Sequence, residues 1–403
     1  MTTCDVLVVG GGPAGSTCAW RLRRGGAEVL VWDRERFPRD KVCAGWITPQ
    51  VLTELELNPA TYSADGRTLQ PIRGFRVSRF GDASARVSYG HSVSFGIRRC
   101  EFDEHLLRRS GAALRLGEPV RDLRRQNGEW IVHESVRAKV LVGAGGHFCP
   151  VARQLGARLG EGEPIIAAHE VELPLSREQL GACRVEPEIP ELFFTRDFKG
   201  YGWAFRKGDY LNIGLGRQDP VKLGTHVQNF FAFLQREGKI PDGLSLKPHG
   251  HPYLLYGQSA RPLVGDGALV IGDAAGLAYP RSGEGIRPAV ESGLLAAEAI
   301  LTARGGYDRE RLAPYVRRVA ERFGPRHAGR GLTDLLPERI ASALAGRLVG
   351  MRWFARRVVL DRWFFHAAQP ALQTLDVTWE KHDAGAGFAC ARFADLAEAP
   401  SRR

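Results

Sequence analysis

Near its start the chain reads CDVLVVGGGPAGSTCAWRLRRGGAEVLVWDRE. DVLVV is an unbroken apolar run, the pattern of a strand buried on both faces of a parallel sheet. Gly10, Gly12 and Gly15 follow at GxGxxG spacing, and AEVLVWD predicts a second strand ending at Asp33, 18 residues after Gly15. Strand, glycine turn, helix, strand and acid make a βαβ unit that cradles a dinucleotide. Gly10 allows the tight turn, Gly12 lets the backbone approach a pyrophosphate, and Gly15 lets the helix pack closely on the strand. Ala14 belongs to the same turn, and the helix N–H groups behind it face the phosphates. A carboxylate at Asp33 accepts from ribose hydroxyls and disfavours a 2′-phosphate. NAD or FAD is therefore expected over NADP.

A second pattern lies about 260 residues on: ALVIGDAAGLAYPRSGEGIRPAVESGLLAAEAI. It predicts a short buried strand ending at Gly272-Asp273, a loop carrying Pro280, and a helix opened by Gly283-Glu284-Gly285. Ile286, Val290, Leu294 and Ala297 recur at helical spacing, with Pro288 tolerated in the first turn. GDAAG…P…GEGI resembles the C-terminal flavin motif of the family built on the p-hydroxybenzoate hydroxylase fold. That resemblance implies FAD. It puts Asp273 at the ribityl chain and Gly283, Gly285 and Ile286 at the flavin pyrimidine. The roughly half positive charge of a helix N-terminus would stabilise negative charge there. RRCEFDEHL resembles the family's R-x-x-F-D element, which implies Arg99 near FAD. GEPVRDL resembles its adenine-side strand and implies a backbone contact from Val120. The later glycine element reads Gly143-Ala144-Gly145-Gly146, without the aspartate of many hydroxylases.

DRERFPRDKVCAGWITP resembles the K-x-C-[GA]-G element of geranylgeranyl reductases, flavoproteins that saturate isoprenoid double bonds. YGWAFRKGDYLNIGLG resembles their Y-x-W-x-F-P…G-x-G element, with Arg206 in the usual place of proline. The resemblance implies that Cys43 lies beside the flavin ring, facing substrate, with Ala44, Gly45 and Ile47 supplying backbone contacts. Two readings of Cys43 stay open, a proton donor or an inert packing thiol. Tyr201 is a second donor candidate, and Trp203 and Phe205 are pocket walls or core.

The expected fold class is α/β. A Rossmann-like FAD-binding domain (1–57, 98–158 and 258–303) is interleaved with a mostly antiparallel β-sheet substrate domain (58–97 and 159–257). A helical C-terminal region (304–403) follows, broken near Gly324-Pro325, Leu336-Pro337 and Gln369-Pro370. Strand signals are IRGFRVSRF, ARVSYG and ELFFTRDFKGYGWAFRKGDYLNIGLG.

Composition narrows the function classes. The seven cysteines form no CxxC pair, which excludes a disulfide framework and a Cys-rich metal site and fits a reducing cytosol. A strand-like run from Asp5 leaves no signal peptide to expect, and no apolar run reaches the roughly 20 residues of a membrane span. Of the net charge of +11, +8 falls between Arg309 and Arg362, which hold 13 arginines, no lysine and 5 acidic residues. Within 337–365, Arg339, Arg347, Arg352, Arg356, Arg357 and Arg362 stand among Trp353, Phe354, Trp363, Phe364 and Phe365. Arginine with tryptophan predicts peripheral contact with an anionic bilayer, against a plain core-facing reading. No nucleic-acid signature appears. The expected activity is FAD-dependent reduction of a carbon–carbon double bond in a hydrophobic, isoprenoid-like molecule, recharged by NAD(P)H or a reduced carrier protein. A flavin monooxygenase or halogenase is the alternative, because one fold hosts both chemistries; a nonenzymatic basic protein with a vestigial flavin site is a third.

Overall fold

The computed structural model describes residues 1–158, 163–219, 221–326 and 338–379, with side chains from 344 onward in the last stretch. Cys390, the expected break at Leu336-Pro337, the Arg339 side chain and the chain beyond 379 lie outside these residues.

The first apolar run forms Thr2–Val9, at the centre of an eight-stranded sheet. It pairs in parallel with Val29–Asp33 on one side and Val136–Gly143 on the other. Ala113–Leu116 and Ala268–Val270 extend the parallel order outward. Val6, Leu7 and Val8 are fully buried, as expected of a strand covered on both faces. The helix Pro13–Arg24 follows the glycine turn, with Gly12 as its cap and Pro13 at its first position. Proline suits that position because its missing N–H would have no helical partner. The predicted strand end at Gly272-Asp273 is shorter than expected: pairing stops at Val270 and Gly272–Ala274 forms one tight turn.

The helix Ile286–Thr302 crosses Pro13–Arg24 closely. A Cβ at Gly293 would meet the Ala14 carbonyl oxygen at 2.5 Å and the Cys18 nitrogen at 3.1 Å. Glycine at 293 thus sets the approach that brings both helix N-termini to one end of the sheet.

A seven-stranded sheet faces that end. Its order is His249–Leu254, Ile165–Pro174, Tyr210–Arg217, Gly200–Lys207, Glu191–Phe194, Gly74–Arg79, Ala85–Ser88. All neighbours are antiparallel except Glu191–Phe194 with Gly74–Arg79. A two-residue turn at Gly208-Asp209 fixes the register of the central hairpin, with Lys207 opposite Tyr210. The amphipathic helix Leu223–Arg236, absent from the sequence reading, covers one face through Val227, Phe230, Phe231 and Leu234. A three-stranded sheet of Trp46–Ile47, Ser94–Ile97 and Leu69–Ile72 takes strands from both sides of the expected boundary at 57/58.

The C-terminal region is helical over Arg309–Phe323, Glu338–Val349 and Arg352–Phe354, then continues as a wider π-helical run, Ala355–Phe364. Residues 366–379 depart from the helical expectation: a turn over 366–369 leads into a stretch without helix or strand. Their carbonyls serve as acceptors instead: Arg287 Nη2 donates to Gln369 and Pro370 (3.0 Å each), and Arg322 Nη2 donates to Pro370 (2.7 Å).

Candidate active site

Between the parallel strand ends and the seven-stranded sheet lies a cleft of about 720 Å³. Gly10, Gly12, Ala14, Asp33, Cys43, Ala44, Gly45, Arg99, Val120, Tyr201, Trp203, Asp273, Gly283, Gly285 and Ile286 all line it. Residues as far apart in sequence as Gly10 and Ile286 thus line one cleft. Three predicted residues do not reach it. Gly15 lies under the Gly10 carbonyl, where a Cβ would collide. Ile47 alternates with the cleft-facing Trp46 along their strand and enters the core with Val51 and Leu52. Phe205 stacks behind, against Trp46 (5.4 Å between ring centres).

At the glycine end, Asp33 holds the turn. Its Oδ2 accepts from the Gly11 N–H (2.6 Å) and its Oδ1 from the Glu35 N–H (2.8 Å). Acceptor capacity remains on both oxygens. Gly10 sits at φ +113°, and a side chain there would strike the Ala144 carbonyl. Fully buried Asp103 gathers two arginines. Arg99 binds it through Nε and Nη2 (2.8 Å each), and Arg39 through Nη2 (3.1 Å). Arg39 Nη1 is buried without a hydrogen-bond partner. Its Nη2 would lie 3.4 Å from a Cβ at Gly12.

In the middle of the cleft, Asp273 pairs with His251 (3.3 Å). Burial alone would raise its pKa, but His251, Lys41 and Arg99 hold its carboxyl well below the usual range. Burial pulls Lys41 down to about 8, against the attraction of Asp273. Gly283 sits at φ +67° beneath the Tyr253 hydroxyl, where a Cβ would not fit.

Cys43 lies half-buried in the cleft wall, within reach of Arg99. Its peptide N–H donates to Glu170 Oε2, its carbonyl accepts from Asn212 Nδ2 (3.1 Å), and its Sγ accepts from the Gly45 N–H (3.4 Å). The Tyr201 hydroxyl donates to the Ser282 carbonyl, and desolvation pushes its pKa well above 10. Trp203 Nε1 donates to Asn212 Oδ1 (2.8 Å). Phe364, from the C-terminal π-helix, completes an aromatic end, stacked on Trp46 (5.2 Å) and edge-on to Tyr201 (5.4 Å).

Sequence reasoning missed Arg39, Lys41, Asp103, Glu170, Asn212, His251 and Phe364. A signal existed for Glu170: it follows Ile166 and Ala168 at period two on the buried face of its strand. A charge at an inward position marks a polar site.

The FAD dependent oxidoreductase family matches residues 5–96. With the glycine cradle and the sheet order, this defines the protein as an FAD-dependent oxidoreductase. Menaquinone reductase of Mycolicibacterium smegmatis is 31% identical over 334 residues, 76% of this chain and 78% of that one. Digeranylgeranylglycerophospholipid reductase of Thermoplasma acidophilum is 26% identical, over 81% of this chain and 86% of that one. The crystal structure of a geranylgeranyl bacteriochlorophyll reductase-like protein of T. acidophilum superposes with a TM-score of 0.73 at 21% identity, covering 90% of this chain and 97% of that one. The chain belongs to the geranylgeranyl reductase family.

The residues present fit FAD. Gly12 leaves the turn open to a pyrophosphate, and Arg39 Nη1 is an orphaned buried donor beside it. A buried donor without a partner costs free energy that an anion would relieve.

Proposed function

We propose that the protein reduces a carbon–carbon double bond of a hydrophobic, isoprenoid-like substrate. The observation that carries this reading is the aromatic end of the cleft, formed by Trp46, Tyr201, Trp203 and Phe364, in a cleft that Cys43 also lines. Bound FAD, when reduced, supplies hydride. The chain's own residues bind the cofactor, exclude water and furnish the proton that balances the hydride. An outside donor, NAD(P)H or a reduced carrier protein, must return the electrons.

Cys43 is the candidate proton donor best placed by geometry. Tyr201 is a poorer one, because its proton is engaged by Ser282 and its acidity is reduced. Lys41, charged at neutral pH and weakened towards 8 by burial, can replenish a proton at the same wall. Chemically reduced protein incubated with a polyprenyl alkene should yield a product heavier by two hydrogens per reduced bond. Cys43→Ala should keep FAD and lose turnover by about 100-fold or more. A product carrying added oxygen would replace the reductase reading with a monooxygenase.

We also propose reversible attachment to an anionic bilayer. Trp353 is 69% exposed, Met351 56% and Leu344 51%, with Arg347 and Arg352 exposed among them. The same segment reaches the cleft through Phe364. Among the described residues, no helix is long and apolar enough to cross a membrane.

A further inference from the structure

The central strands of the seven-stranded sheet carry an unusual inward face. Register places Glu170 opposite Gly214, Glu172 opposite Asn212, and Asn212 opposite Phe205. Period two then puts Trp203, Phe205 and Lys207 on the same face as Glu170, Glu172 and Asn212. The aromatic part of that face forms the cleft wall and the core behind it. The polar part does not line the cleft; it meets the loop that carries Cys43.

Two contacts of this polar cluster hold that loop directly. Glu170 accepts from the Cys43 N–H, and Asn212 Nδ2 donates to the Cys43 carbonyl. The indole of Trp203 can only donate, so its bond to Asn212 Oδ1 fixes which end of the amide faces Cys43. Asn212 Nδ2 also reaches Glu172 Oε1 (3.2 Å), and Lys207 Nζ donates to the same oxygen (2.8 Å). Lys207, only 1% exposed, lies directly under Gly45, where φ is +62° and a Cβ would strike its amine. The peptide of Cys43 is thus held at both ends, and the residue two places on is seated against the ion pair.

Buried ions are costly, and apolar residues of similar volume often serve stability as well or better. A purely structural role would not need a carboxyl and an amide on opposite ends of one peptide, backed by a buried ion pair. We propose that Glu170 and Asn212 are positioning residues that hold the Cys43 thiol at the cleft wall. This rests on Cys43 standing at the reacting end of the cleft, but its test needs no substrate.

The experiment uses the FAD-loaded full chain and follows alkylation of Cys43 by iodoacetamide, resolved by peptide mass spectrometry. Buried Cys18 and Cys149 report any general loosening. Glu170→Leu and Asn212→Asp should each change the Cys43 rate by about tenfold or more, with the flavin spectrum and the two reference thiols unchanged. Asn212→Asp is nearly isosteric and replaces the donor facing the Cys43 carbonyl with an oxygen. Glu170→Gln keeps an accepting oxygen and should stay within about threefold of wild type. Wild-type rates in both Glu170→Leu and Asn212→Asp would overturn the proposal. Deuterium exchange of the wild type decides it even if neither variant folds. The Cys43 amide should exchange slowly; exchange at the rate of an exposed loop would also overturn it.

Discussion

Glu170 illustrates how one residue ties local chemistry to global behaviour. Burial pushes its pKa from 4.5 up to about 8, against the pull of Lys207. Between those values the native state keeps a proton that the unfolded state has released. The stability it contributes is full below pH 4.5 and is lost as pH rises towards 8. Glu284, raised to about 7, and Glu54, raised to about 9, act in the same sense. His105 and His366, lowered to about 4, act in the opposite sense, but only below 6.5. Lys41, lowered from 10.5 to about 8, acts above 8. The window from pH 6.5 to 8 therefore isolates the carboxyls. FAD-free protein should lose stability across it, by up to about 1.4 kcal/mol per pH unit for Glu170. In denaturant titrations at several pH values, Glu170→Gln should show a shallower slope; equal slopes would mean that Glu170 does not titrate there.

The elements differ in how openly the sequence declares them. The glycine turn and the helix Pro13–Arg24 were legible because backbone sterics dictate residue type there. Asp33 was legible as an acid at the strand end, though its bonds to the Gly11 and Glu35 amides were not. The segment after 344 was legible only in part, because it is apolar on more than one side. Its aromatic residues, read together as a lipid-facing set, divide in the structure. Phe364 and Phe365 pack against Trp46 and Phe75, while Trp353 stays exposed beside Arg352. Only tertiary packing makes that division. The exposed side yields a direct expectation. The protein should co-sediment with liposomes containing anionic lipid, and less so as salt rises. Arg347→Ala with Arg352→Ala should remove about 2 kcal/mol, roughly a 30-fold loss of partitioning, at about 1 kcal/mol per arginine. Binding unaffected by lipid charge, or equal in the double variant, would assign the segment to packing alone.

At the scale of the whole molecule, the cleft is made by elements far apart in the chain. The cradle comes from residues before 35, the second glycine loop from beyond 270, and the aromatic end from strands near 200 and the helix at 364. Motifs marked the first two. The strands near 200 were legible by alternation, yet which polar residues they aimed at Cys43 depended on register. Gly214 shows why: its missing side chain makes room for the Trp203 ring, a complementarity visible only once the strands are paired. The π-helical run that carries Phe364 to the cleft had no local signature. These elements together place a hydrophobic wall and the loop that carries Cys43 in the same cleft as the glycine cradle. Anaerobic single turnover tests that arrangement most directly. Photoreduced holoprotein, mixed without oxygen with a polyprenyl alkene, should recover oxidised flavin absorbance at a rate that rises with alkene concentration and collapses in Cys43→Ala. Flavin that stays reduced under alkene and reoxidises only when oxygen is admitted, with oxygen appearing in the product, would contradict a double-bond reductase.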